Sequence, residues 1–121
     1  MCKCSKIHAR EFWLNGELVS PCCELFILLE NGVCVTSSYN DETCEFEVFG
    51  ITEVPDFKIP EGDSEFYYPY KELFPSIDIT QIEFEKYEIS KNQADFYFSN
   101  NISIKLVYDV KKDREIVKIS T

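Results

Sequence analysis

Three features of the sequence predict a mainly β, antiparallel fold. Aromatic residues make up 15% of the chain, with ten Phe and seven Tyr, and aromatic and β-branched side chains favour sheet over helix. Apolar residues recur at every second position over much of the chain, which is the period of a strand with one buried face. Asn-Gly and Asn-Asn pairs stand between the alternating runs, where tight turns need residues that tolerate positive φ. The expectation is an antiparallel meander forming a barrel-like or sandwich sheet, with at most one short helical turn near residues 70–74. A chain of 121 residues is expected to form one domain with a single core. Its strand-rich halves, about 7–51 and 77–119, are joined by a Pro-rich, acidic and aromatic loop at about 53–75.

The first strand is expected over Ile7 to Leu14, closed by the Asn15-Gly16 turn, with Glu17 to Ser20 returning. Pro21 interrupts or bends that return, because proline cannot donate to a ladder. Cys22 to Glu30 holds the unbroken apolar run Leu25 to Leu29 and reads as a largely buried strand. Asn31-Gly32 turns the chain again into Val33 to Ser37. Ser37 to Asp41 reads as a loop. Thr43 to Ile51 alternates, with Cys44, Phe46 and Val48 on one side and Glu45, Glu47 and Phe49 on the other.

Four of the five prolines (Pro55, Pro60, Pro69 and Pro75) fall between Glu53 and Pro75. They exclude a long helix or a central strand there and leave room only for a helical turn at Tyr70 to Phe74. Beyond it, Ile77, Ile79, Ile82 and Phe84 alternate with polar residues, with a slip at Gln81 and a register change after Lys86. A helix over Thr80 to Lys91 competes, but the apolar spacing of two favours strand. Turns at Lys91 to Gln93, at Asn100-Asn101 and at Lys111 to Arg114 separate the last strands.

The charge is segregated. Residues 1–10 carry Lys3, Lys6 and Arg10 and no acid, whereas Glu11 to Ile89 carries eighteen acids against Lys58, Lys71 and Lys86. The net charge is −10. A polyanion repels such a chain, so nucleic acid and anionic membrane surfaces are not its expected partners. A basic protein is, because a segregated acidic field steers a cationic surface towards it. Residues 1–20 hold no apolar core of signal length, and the longest apolar run is far short of the ~20 residues that span a bilayer. A cytoplasmic setting with reduced thiols is the corresponding expectation.

No catalytic set stands out, and neither a catalytic residue nor a cofactor is expected. His8 is the one histidine, and no local pattern activates Cys22 or Cys23 beside it. Cys2 and Cys4, at a frayed terminus, and the adjacent Cys22 and Cys23 lack the spacing of zinc knuckles, so no metal is expected. The carboxylate pairs Glu45/Glu47 and Glu83/Glu85 lie two apart, as on the wet face of a strand. The remaining constellation is acid with aromatic: Asp56, Glu61, Asp63, Glu65, Phe66, Tyr67, Tyr68, Tyr70 and Glu72 within the proline-broken loop. Tyrosine and phenylalanine anchor interfaces, and carboxylates around them select cationic partners. The competing role for Phe66, Tyr68 and Phe74 is to plug the end of the sheet.

In size, charge and expected compartment the chain is similar to small acidic immunity proteins, which bind and neutralise toxins in bacterial competition. That likeness implies an inhibitor that is not an enzyme and that blocks a basic toxin domain, often a nuclease, with an acidic aromatic surface. A structural or self-assembling β-domain is the alternative expectation, through edge strands such as Ile102 to Val110. A cysteine-dependent enzyme or a small-ligand barrel comes third.

Overall fold

The computed structural model describes residues 2–57 and 65–121. Four long strands open the chain: β1 (Cys2–Leu14), β2 (Glu17–Leu29), β3 (Cys34–Asn40) and β4 (Glu45–Ile51). Two short strands follow, β5 (Phe66–Tyr67) and β6 (Tyr70–Glu72), and then a 3-10 turn at Ile79–Gln81. Four more strands complete the fold: β7 (Glu83–Ser90), β8 (Gln93–Phe98), β9 (Ser103–Asp109) and β10 (Arg114–Ser120). All pair antiparallel in one sheet of order β10-β9-β8-β7-β1-β2-β3-β4, with β5 and β6 also on β1. Each half is a meander. They join where Cys2 and Lys3 pair with Phe84 and Glu83.

The ladder does not close, and β4 and β10 are its ends. The sheet instead folds over on itself. Ser20 of β2 donates a hydrogen bond to Glu115 Oε2 of β10 at 2.8 Å. Tyr39 of β3 stacks on Tyr108 of β9 with ring centroids 3.9 Å apart. Between the two layers lies the core: Ile7, Ala9, Leu25, Ile27 and Phe46 from the first half meet Phe96, Phe98, Ile104 and Leu106 from the second.

Turn chemistry sets the hairpins. Asn15 and Gly16 take φ of 50° and 82°, and Asn100 and Asn101 both take 61°, the double positive-φ signature of a tight hairpin turn. Side chains shape two longer turns. The Asn40 side-chain oxygen accepts from the Glu42 and Thr43 amides, and Asp109 does the same for Lys111 and Lys112.

Bulges then adjust which side chains face the core. Between the pairs Cys4↔Leu29 and Lys6↔Leu28, β1 spends one residue more than β2. The extra residue flips the alternation, so Cys4 and then Ile7 and Ala9 all point inward. Pro21 falls in a second irregularity, between Arg10↔Glu24 and Phe12↔Ser20, where its missing N–H costs no ladder bond. The register change expected after Lys86 lies before it, between Phe84 and Lys86, and the pairing from Lys86 to Ser90 is unbroken.

Several local expectations are corrected. Tyr70–Glu72 is strand, because β1 offers it an edge to pair with; the helical turn lies at Ile79–Gln81, where Asp78 caps it by accepting from the Thr80 amide. Residues 77–82 are therefore not the strand that their isoleucine spacing suggested. The first strand begins at Cys2 rather than Ile7, and Cys4 is buried rather than frayed. Strand β3 runs on through the serines to Asn40, and Cys44 sits in the following turn at φ 58°, exposed.

The turn geometry makes a direct prediction. Asn100→Val places a β-branched residue in the left-handed region and is expected to cost about 1–2 kcal/mol. Urea melts of the variant and the parent chain measure it.

Candidate functional site

From Glu65 to Leu73 the Pro-rich excursion does not stand away from the sheet. It returns along the free edge of β1, where Tyr70, Lys71 and Glu72 pair with Arg10, Ala9 and His8. Phe66 and Tyr67 pair with Leu14 and Trp13. The Leu73 amide bonds to the Ile7 carbonyl at 3.1 Å, and the Glu11 amide to the Pro69 carbonyl at 2.8 Å.

This path brings the excursion's rings over the outer face of β1 and β2. On that face β1 presents Lys6, His8, Arg10 and Phe12, and β2 presents Phe26 opposite His8. Phe57 stacks on His8 with centroids 4.5 Å apart and meets Phe26 and Tyr70 edge-on. Phe26 is only 4% exposed although it faces away from the main core. The run Leu25 to Leu29 is apolar throughout because both of its faces are covered. Phe57 takes φ of 54°, a strained conformation for a bulky residue, held here by its three ring contacts.

The basic first strand lies beneath acidic, aromatic chain. Arg10 bonds Glu24 at 3.2 Å, and its guanidinium lies 4.9 Å from the Tyr68 ring centre and 5.6 Å from that of Tyr70. Lys6 sits 5.7 Å from the Phe57 ring. These cation–π contacts engage Arg10 and Lys6, of which Lys6 remains exposed, as does Lys3. Beyond them an aromatic strip reaches the surface: Phe12 stacks on Tyr68 at 5.0 Å and on Phe66 at 6.2 Å. Phe66 is 51% exposed and Tyr68 36%.

The nine residues singled out by sequence therefore separate. Tyr70 packs inward against Phe26 and Phe57, and Tyr67 is half-buried beside Trp13. Phe66, Tyr68 and the carboxylates Asp56, Glu65 and Glu72 lie at the surface. Glu61 and Asp63 lie outside the described residues. Phe74 does plug the core, with Leu73 beside it. Sequence reasoning missed His8, Arg10, Phe12, Phe26 and Phe57. The alternation Lys6, His8, Arg10, Phe12, out of phase with Ile7 and Ala9, carried the signal for a second occupied face.

A second acidic feature lies where the turns after β3 and β9 meet. A hollow of about 420 Å³ is lined by Asp41, Asp113 and Glu115 with Tyr39, Tyr108 and Cys44. Burial and the neighbouring Cys44, Asp41 and Asp113 push the Tyr39 hydroxyl up.

The thiols of Cys4, Cys22 and Cys23 are poorly suited to nucleophilic work. Burial pushes Cys4 up to about 12 and Cys23 to about 11, and raises Cys22 as well. The Cys23 thiol donates to the Arg10 carbonyl at 3.2 Å. Among the described residues, no group of three or more His, Cys, Asp and Glu side chains could hold a metal ion. No helix among them is long and apolar enough to cross a membrane. Comparison of the chain with family models, with characterised proteins and with solved structures returns no match.

Two outcomes follow. Burial lowers the His8 pKa, with Glu72 opposing and Lys6 adding to the shift. The unfolded chain thus takes the proton more readily, so the stability present above about pH 6.5 falls as pH drops through that value towards the folded pKa. Denaturant titrations between about pH 7.5 and 5.5 are expected to show a smaller loss in His8→Phe, which keeps the ring stack and removes the titration. In the second, iodoacetamide at about pH 8 labels the exposed Cys44 first and spares Cys4 and Cys22 until the chain unfolds. Peptide mapping reads the order.

Proposed function

We propose that this chain is a small acidic binding protein that captures a basic protein through the aromatic strip of the excursion. In its most specific form it is an immunity-type inhibitor that covers the active surface of a basic toxin domain, such as a nuclease, in a bacterial cytoplasm. The observation that carries this reading is the exposed strip of Phe66, Phe12 and Tyr68 with Glu65 and Glu72 on the same stretch of chain. Aromatic anchors ringed by carboxylates suit a partner rich in Lys and Arg. Arg10, which lies over Tyr68, is paired with Glu24, so it adds little net charge to the strip; Lys71 is the exposed cation on the same stretch.

Self-assembly is the second reading; Ile102 to Val110 is not the edge expected for it, because β9 is paired on both sides by β8 and β10, and the open end of the sheet at β10 takes its place. Sedimentation separates them: a stable oligomer at high salt supports assembly, and a monomer supports capture of a different protein.

The inhibitor reading is tested by affinity capture from the native host. A basic protein is expected to be retained at low ionic strength and released by salt. Tyr68→Ala with Glu65→Lys is expected to weaken that retention by about 2 kcal/mol or more while leaving the melting temperature nearly unchanged. Retention of no basic protein, or retention indifferent to both substitutions, would count against it.

A further inference from the structure

We propose that the outer edge of β4 is a second docking surface, which accepts an extended basic segment of another protein as an added strand. It lies on a different part of the chain from the excursion and shares no residue with the aromatic strip. Strand β4 pairs with β3 in unbroken register over seven residues, from Asn40↔Glu45 to Cys34↔Ile51. It ends the sheet. Among the described residues, no backbone hydrogen bond reaches Glu45–Ile51 from outside that ladder. Its outward row of N–H and C=O groups is a template for another strand.

Of the usual defences of an edge, only charge is present, in Glu45 and Glu47. Strand β4 carries no Lys, no Pro and no bulge. Its outward side chains are Glu45, Glu47 and Phe49, and Phe49 is 52% exposed. Beside them β3 places only Asn40, Ser38 and Thr36.

Charge selects the occupant. No Lys or Arg occurs between Glu11 and Phe57, while Asp41, Glu42 and Glu53 flank the strand. Glu47 accepts from the neutral Asn40 amide at 2.8 Å, so its negative charge is not cancelled there. A second copy of β4 laid antiparallel in full overlap would face Glu45 with Ile51 and Glu47 with Phe49, so it offers these carboxylates no cation. A strand with Lys or Arg at alternate positions meets them instead, since residues two apart share a face.

The neighbouring surface suits the other side of such a strand. Tyr87 and Ile89 of β7 are 47% and 43% exposed, although their cross-strand neighbours Phe96 and Ala94 are fully buried on the same face. A groove of about 450 Å³ joins this uncovered face to the start of β4, lined by Thr43, Cys44, Glu45, Ile89, Ser90 and Lys91. The apolar residues that alternate with the basic ones in the incoming strand have Ile89 to pack against.

The test is an NMR titration of the labelled full chain with a short synthetic peptide alternating Lys and Val. Amide shifts are expected along Glu45–Ile51. Affinity is expected to fall about tenfold in E45K/E47K and about tenfold between about 0.05 and 0.5 M salt. The same peptide methylated on alternate backbone nitrogens should fail to bind, because it cannot complete the ladder. If the charge-reversed variant misfolds, E45Q/E47Q takes its place. The proposal is overturned by shifts confined to the Phe66–Tyr68 region, by equal binding of the methylated peptide, or by no shift at all. Shifts in β4 that grow with protein concentration alone would assign the edge to a second copy and equally overturn it.

Discussion

One edge of β1 satisfies its backbone hydrogen bonds with three strands in succession: Cys2 and Lys3 with β7, His8 to Arg10 with β6, Trp13 and Leu14 with β5. Between these pairings, Cys4 donates to the Ile82 carbonyl and Glu11 to that of Pro69. Buried backbone groups left unpaired are costly, so this edge has to be filled. Filling it joins the two meanders and forces the proline-broken segment back onto the sheet. Without that constraint the halves would share only packing across the fold, and the excursion would have no fixed position.

The placement of the excursion decides the electrostatics of the surface. Arg10 is half-buried against Tyr68 and Tyr70 and held by Glu24, and Lys6 reaches the Phe57 ring from an exposed position. Arg10 is thus committed within the molecule, while Lys3, Lys6 and Lys71 stay at the surface. Acid outnumbers the one cation, Lys71, beside the exposed rings among the described residues of the excursion, and acid flanks an open backbone edge at β4. Both are suited to cationic protein surfaces, by different means: the first through ring burial, the second through main-chain pairing.

Much of the architecture was legible because it rests on local rules. Alternation and the Asn15-Gly16 and Asn100-Asn101 pairs are short-range signals, and the hairpins they imply are present. The errors fall where a distant strand overrode a local preference. Tyr70–Glu72 pairs with β1 instead of forming a helical turn, and Cys4 is buried because a bulge reverses the phase of β1. Tyr70 looked like a surface anchor, yet it packs against Phe26, a residue more than forty positions earlier in the chain.

By itself the sequence determined that the chain is a β protein, that its turns fall at Asn-rich pairs, and that its acid is segregated from its first ten residues. Those are properties of period, φ tolerance and composition, which need no long-range contact. Only the tertiary structure decided that the sheet folds over without closing, and that the excursion buries one face of β2 while exposing Phe66 and Tyr68. It also decided that β4 ends the sheet with its backbone edge open. Each of these depends on which strand finds which free edge, and pairing between segments far apart in the chain leaves no mark on the local pattern of either.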